Sequence, residues 1–148
     1  MPHKDILNYI PLSDHIATSG QPEEDQFEHI RAAGYQVVIN LAMPDSNNAV
    51  PVEGNRVTAH KMSYVHIPVP FEAPNQQHLQ QFFAVMQAFK DKKVWVHCAM
   101  NYRVSAFMYL YLRQVERLSE QEAQQALHPS WQPNDVWRSF MEEGCKGR

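Results

Sequence analysis

The chain has only two cysteines, Cys98 and Cys145, so no disulfide framework holds it together. It lacks a basic excess. The formal charge is -3, which supplies no positive field for a nucleic acid partner. No apolar run reaches the length of a membrane span. The opening residues, Met-Pro-His-Lys-Asp-Ile, contain no signal-peptide hydrophobic region, and a cytoplasmic protein is expected. The eight histidines are scattered, with no His-Cys spacing of a zinc site. No internal repeat, low-complexity segment or linker divides the chain. Residues 1–148 therefore read as a single domain, long enough to bury a core without covalent staples.

What is present is an alternation of strand-like and helix-like segments. Ile16-Ala-Thr18 reads as a short strand. Pro22 fits a first helical position, Glu23, Glu24 and Asp25 suit a first turn, and Gly34 ends that helix. Tyr35 to Leu41 is a buried strand by its β-branched run. Pro44 to Val52 is a loop, Glu53 to His60 a short helix, and Tyr64 to Ile67 another strand. Pro68, Pro70 and Pro74 impose an extended loop. Asn75 caps a helix whose Leu79, Phe82, Phe83, Met86 and Phe89 recur at helical spacing. Lys93 to His97 is the central strand, and Arg103 to Arg117 a helix apolar nearly all round. Two further helices are expected, near Glu120–Leu127 and Pro133–Glu142. This order predicts an α/β fold with a mostly parallel sheet covered by helices on both faces.

The richest segment is Val94-Trp95-Val96-His97-Cys98-Ala99-Met100-Asn101-Tyr102-Arg103-Val104-Ser105. A strand delivers a cysteine to the sheet edge, and a turn then opens a helix. The turn amides of Ala99, Met100, Asn101 and Tyr102 and the positive pole of the helix form an anion site. With the Arg103 guanidinium, they favour a thiolate at Cys98. Ser105 could donate to the sulfur or to a leaving group. His97 stands behind the sulfur, bonding loop carbonyls or acting on the thiol electrostatically. The competing readings are an inert core thiol, a helix-surface arginine, a plain helix-start hydroxyl and a buried structural histidine.

These residues resemble the His-Cys-x5-Arg-Ser/Thr motif of the protein tyrosine and dual-specificity phosphatases. Ser105 is seven residues after Cys98, as in that motif, but Arg103 is five after it and Val104 takes the usual arginine place. Asn101, the non-glycine residue most tolerant of positive φ, stands where the motif has glycine. Either the loop keeps its length with arginine displaced by one, or it is one residue shorter, as in rhodanese-type sulfurtransferases with Cys-x4-Arg. Ser19-Gly20-Gln21-Pro22, Val37 to Leu41 and His66-Ile67-Pro68-Val69 extend the resemblance, over about residues 14 to 115. They are similar to a small bacterial phosphatase-like family whose members also occur fused to β-lactamase-like hydrolases.

The resemblance implies a cysteine phosphatase fold and hydrolysis of a phosphomonoester through a phosphocysteine. The partner would be a phosphorylated protein or a small phosphate ester, with no cofactor and no metal, since the loop and Arg103 supply the charge. In such families an acid on the loop before the cysteine strand protonates the leaving oxygen. Here the only carboxylate between Pro68 and Asn75 is Glu72. Asp45, after the strand ending at Leu41, is the second candidate. The alternatives are a sulfurtransferase carrying a persulfide on Cys98, fed by a sulfane-sulfur donor, and a non-catalytic anion-binding pseudophosphatase. Cys145 is expected to be an exposed, non-catalytic thiol, and Trp131 and Trp137 to pack the last helices.

Overall fold

The computed structural model describes residues 2–146. Among them, one sheet contains β1 (Ile10–Pro11), β2 (Ile16–Ser19), β3 (Val37–Asn40), β4 (Ser63–His66) and β5 (Val94–His97). Their spatial order is β1-β2-β5-β3-β4. β1 is antiparallel to β2, and the other neighbours are parallel. The fold is thus the mostly parallel α/β sheet that the alternation of elements predicts. β1 has no counterpart in the sequence reading. It is two residues long and shows no periodicity, and Pro11 is tolerated because the strand is at an edge.

The helices are α1 (Phe27–Ala32), α2 (Glu53–Ala59), α3 (Gln76–Ala88), α4 (Tyr102–Gln114), α5 (Glu120–Ala123) and α6 (Asp135–Lys146). Successive strand residues face opposite sides of the sheet and build two cores. Val94, Val96 and Cys98 pack with Leu79, Phe82, Phe107 and Trp137 of α3, α4 and α6. Trp95 packs on the other face with Phe27, Ile30 and Val57 of α1 and α2. His97 shares the parity of Trp95 and is directed toward α2. Asn75 caps α3 as expected, its side-chain oxygen accepting the His78 N–H at 2.8 Å.

Boundaries differ where tertiary contacts override local signals. The helix expected from Pro22 begins as a 3-10 turn at Glu24–Gln26 before α1 and ends ahead of Gly34, whose φ is 98°. α4 stops at Gln114, short of Arg117, which takes a left-handed φ of 60° that cannot continue a helix. α6 runs past Glu142 to Lys146, because Gly144 is a packing residue rather than a terminator: a Cβ there would meet Leu110 Cδ1 at 2.8 Å. Cys145 is exposed on this last turn. Trp131 and Trp137 meet edge to face at 5.7 Å. No helix among the described residues is long and apolar enough to cross a membrane.

Parallel strands end on one edge. The segments following β2, β3, β4 and β5 therefore converge, and they carry Gly20–Gln21, Asp45–Asn48, Val69–Glu72 and Cys98–Asn101 to the same place.

Candidate active site

The turn after β5 is held from outside by its carbonyls. The Cys98 carbonyl faces His97 Nδ1 at 3.1 Å. The Ala99 carbonyl accepts the Gln21 backbone N–H at 3.0 Å and the Asn48 Nδ2 at 3.1 Å. The Met100 carbonyl accepts Asn8 Nδ2 at 2.9 Å, and the Asn101 carbonyl accepts Ser105 Oγ at 2.6 Å. Across a trans peptide the next N–H points the opposite way. Four successive carbonyls tied outward thus leave the amides of Ala99, Met100, Asn101 and Tyr102 turned to the other side. Among the described residues no carbonyl accepts from the N–H groups of Ala99 through Val104. Those at the start of α4 are the orphan donors of a helix N-terminus, where an anion is favoured.

Asn101 takes φ 72°, the left-handed conformation that the motif's glycine supplies. Its side chain is fully buried and donates to the Asn8 carbonyl at 2.8 Å and to Thr18 Oγ1 at 3.1 Å. Asparagine therefore shapes the turn from beneath. The turn also needs Gly20. A Cβ there would lie 2.8 Å from the Ala99 carbonyl oxygen and 2.9 Å from Leu7 Cδ2. Gly20→Ala is expected to cost about 1–3 kcal/mol, as overpacking against backbone does, and to weaken phosphate binding by pushing the Ala99 peptide. Urea unfolding and phosphate titration of the variant test this. Unchanged stability and affinity together would show that the contact relaxes freely.

Cys98 is 1% exposed and lies below the open cleft rather than on its wall. Ser105 lies beneath with it, fully buried. From sequence, the Ser105 hydroxyl is a donor for the sulfur or the leaving group. In the structure its hydrogen goes to the Asn101 carbonyl, while its oxygen accepts the His128 N–H at 3.0 Å. Tyr102 offers the site its amide alone, since its ring stacks on Trp131 at 5.6 Å.

The cleft above measures about 550 Å³ and is lined by Asp45, Asn48, Phe71, Glu72, Met100 and Arg103 among others. Both candidate acids are on its wall. Arg103 is buried, at 6% exposure, although it opens a helix. One terminal nitrogen, Nη1, donates to the Val69 carbonyl at 2.9 Å, and the guanidinium lies 5.7 Å from the Phe71 ring centre. Its Nε is buried with no partner. Val104, in the motif's arginine place, is wholly within the core. The displaced arginine thus reaches the cleft along the loop after β4.

Two site residues were not singled out from sequence. Glu53, the first residue of α2, is buried, and its Oε2 lies 2.6 Å from His97 Nε2. Gln21 Nε2 donates to the other oxygen at 2.8 Å. Burial alone would raise the Glu53 carboxyl. The facing His97, the hydrogen bonds from His97 and Gln21, and the nearby His66 outweigh it and hold the group below the usual carboxylate range. The one signal available was topological, since a helix following a parallel strand presents its N-terminal residues near the edge where strands end.

A family model described as "DSP-PTPase phosphatase fused to NAD+ Kinase" matches residues 11–140. No curated protein sequence matches the chain. Among solved structures, a Shewanella putrefaciens CN-32 protein described as "Putative phosphatase (DUF442)" is 34% identical. The match covers 98% of this chain and 95% of that one, with a TM-score of 0.87. Tk-PTP in its active form is 19% identical over 95% of this chain and 98% of its own, with a TM-score of 0.79. P. aeruginosa TpbA, a cysteine-to-serine variant in complex with pTyr, is 14% identical over 95% of this chain and 84% of its own, with a TM-score of 0.71. The last two likenesses concern the fold.

Proposed function

The chain belongs to the PTP-NADK family of DSP-PTPase phosphatases, and from that premise we propose that it hydrolyses phosphomonoesters with Cys98 as nucleophile. The observation that carries this reading is the Arg103 guanidinium, buried at the cleft with Nε unpartnered. A buried cation without a counter-charge is costly, and an oxyanion held above the Cys98 turn compensates the guanidinium that lines the cleft.

The Cys98 thiolate attacks phosphorus, forming the P–S bond as the bond to the ester oxygen breaks. The amides of Ala99 through Tyr102 and the Arg103 guanidinium meet the equatorial oxygens, where negative charge is concentrated. Glu72 gives its proton to the departing oxygen, then takes one from water as that water attacks phosphorus. The P–S bond breaks, releasing phosphate and restoring the thiolate. Asp45 is the second candidate for the acid. The substrate is a phosphorylated protein or a small phosphate ester. The relatives support that class: TpbA was solved with pTyr and PTPMT1 with PI(5)P.

The test is to quench turnover of an aryl phosphate in acid and weigh the peptide that carries Cys98. A gain of one HPO3 group, absent in Cys98→Ser, is the expected result. A gain of one sulfur from thiosulfate, with no turnover of any ester, would overturn the proposal for a sulfurtransferase. Phosphate binding with neither chemistry would leave an anion-binding protein.

A further inference from the structure

His97 and Glu53 form a buried pair directly behind the Cys98 turn, and Glu53 makes and breaks no bond in the hydrolysis. We infer that Glu53 is a positioning residue for the nucleophile, acting through His97. This rests on Cys98 being the nucleophile.

Hydrogen-bond chemistry fixes the protons. A carbonyl only accepts, so His97 Nδ1, facing the Cys98 carbonyl, carries a hydrogen. Nε2 faces a carboxylate oxygen at 2.6 Å, with one proton between them. Gln21 donates to the second carboxylate oxygen, which suits a charged carboxylate. With Glu53 as the carboxylate, that proton is on Nε2, and the ring is held as an imidazolium between Glu53 and the carbonyl of the nucleophile's own residue. Neither partner is left uncompensated, as an isolated buried charge would be.

The same side chain also orients the turn. Gln21 grips Glu53 with its side chain and the Ala99 carbonyl with its backbone N–H. Glu53 therefore ties two successive carbonyls, those of Cys98 through His97 and of Ala99 through Gln21. These are the two carbonyls whose outward direction frees the Ala99 and Met100 amides.

The backbone beside Glu53 is strained. Val52, immediately before α2, has φ 50° and ψ 43°, a left-handed conformation that a β-branched residue rarely takes. Such strain persists where surrounding structure requires it, often at functional sites. Here it starts the helix at the position that brings Glu53 to His97.

The other titratable groups facing Glu53 come from β4. Tyr64 is pushed up to about 12 by burial and then by the Glu53 charge, so its phenol stays neutral. His66 bonds the Ala42 carbonyl through Nε2 at 2.7 Å. A His66→Gln control separates its contribution.

The experiment is the pH profile of Cys98 alkylation by iodoacetamide in a Cys145→Ser background. Glu53→Gln keeps the shape and the hydrogen-bonding capacity but removes the charge that holds the imidazolium. It is expected to move the midpoint of the profile up by about one pH unit, so that alkylation slows about tenfold at a pH below both midpoints. The same change in a His97→Asn background is expected to add nothing, because Glu53 acts through His97. An unmoved profile, or an equal shift without His97, would overturn the inference. Should Glu53→Gln not fold, nitrogen NMR of the unsubstituted protein decides. Both His97 ring nitrogens protonated at neutral pH supports the inference, and a neutral ring overturns it. A Cys98 that alkylates at pH 6.5 no faster than glutathione would instead remove the nucleophile itself.

Discussion

Arg103→Lys is expected to weaken inorganic phosphate binding roughly ten- to a hundredfold. Arg103 has two tasks at once. Nη1 holds the Val69 carbonyl, while the residue lines the cleft and carries its charge to the anion, its buried Nε having no partner. A planar guanidinium with five N–H donors can serve both. A lysine carries its three donors on one compact nitrogen and lacks the planar fork that spans the loop after β4 and the anion together. Losing charge-assisted hydrogen bonds costs about 1.5–3 kcal/mol, which corresponds to that range of affinity. Calorimetric titration of phosphate into both proteins measures it, and thermal unfolding shows whether the loss of the Val69 bond also loosens the fold. Equal affinities would remove Arg103 from the anion site and leave the amides of the Cys98 turn as the whole of it.

Glu72→Gln is expected to lower kcat on an alkyl phosphate by about 10²–10⁴, the range of a positioned general acid. On an aryl phosphate, whose leaving group needs little protonation, the loss should be under about tenfold. Glu72 and Asp45 both line the cleft, but the backbone around Glu72 is pinned from two sides. Arg103 holds the Val69 carbonyl, and Trp137 Nε1 donates to the Phe71 carbonyl at 2.9 Å. A loop so anchored presents its carboxylate at a fixed place relative to the arginine, which proton transfer to a bound ester demands. Asp45→Asn is the comparator and is expected to affect both esters alike. If Asp45→Asn shows the leaving-group dependence and Glu72→Gln does not, the acid is Asp45.

The two substitutions together test whether moving the arginine one position back changes the chemistry or only its delivery. Residues 103 and 104 are about a quarter-turn apart on a helix. Val104, facing the core, contributes packing where an arginine would bury an unpaired charge. Arg103 arrives from the side of the loop after β4 and is coupled to it. Anion binding and placement of Glu72 are therefore linked through Val69, and Arg103→Lys should disturb both.

What the sequence determined by itself is local. The β-branched runs set the strands, Asn75 capped α3, and the strand–turn–helix around Cys98 placed the candidate nucleophile. Each of these depends on residues a few positions apart, within reach of one turn or one hydrogen bond, so pattern suffices. Asn101 belongs here too, since only a residue tolerant of positive φ suits the place of a glycine. Tertiary structure decided what surrounds the turn. Glu53 is 44 residues from His97 and 32 from Gln21, Val69 is 34 from Arg103, and Asn8 is 92 from Met100. No local preference specifies such pairs. They arise because parallel strands end on one edge and carry distant loops to a common point, where burial makes it costly to leave carbonyls and charges without partners.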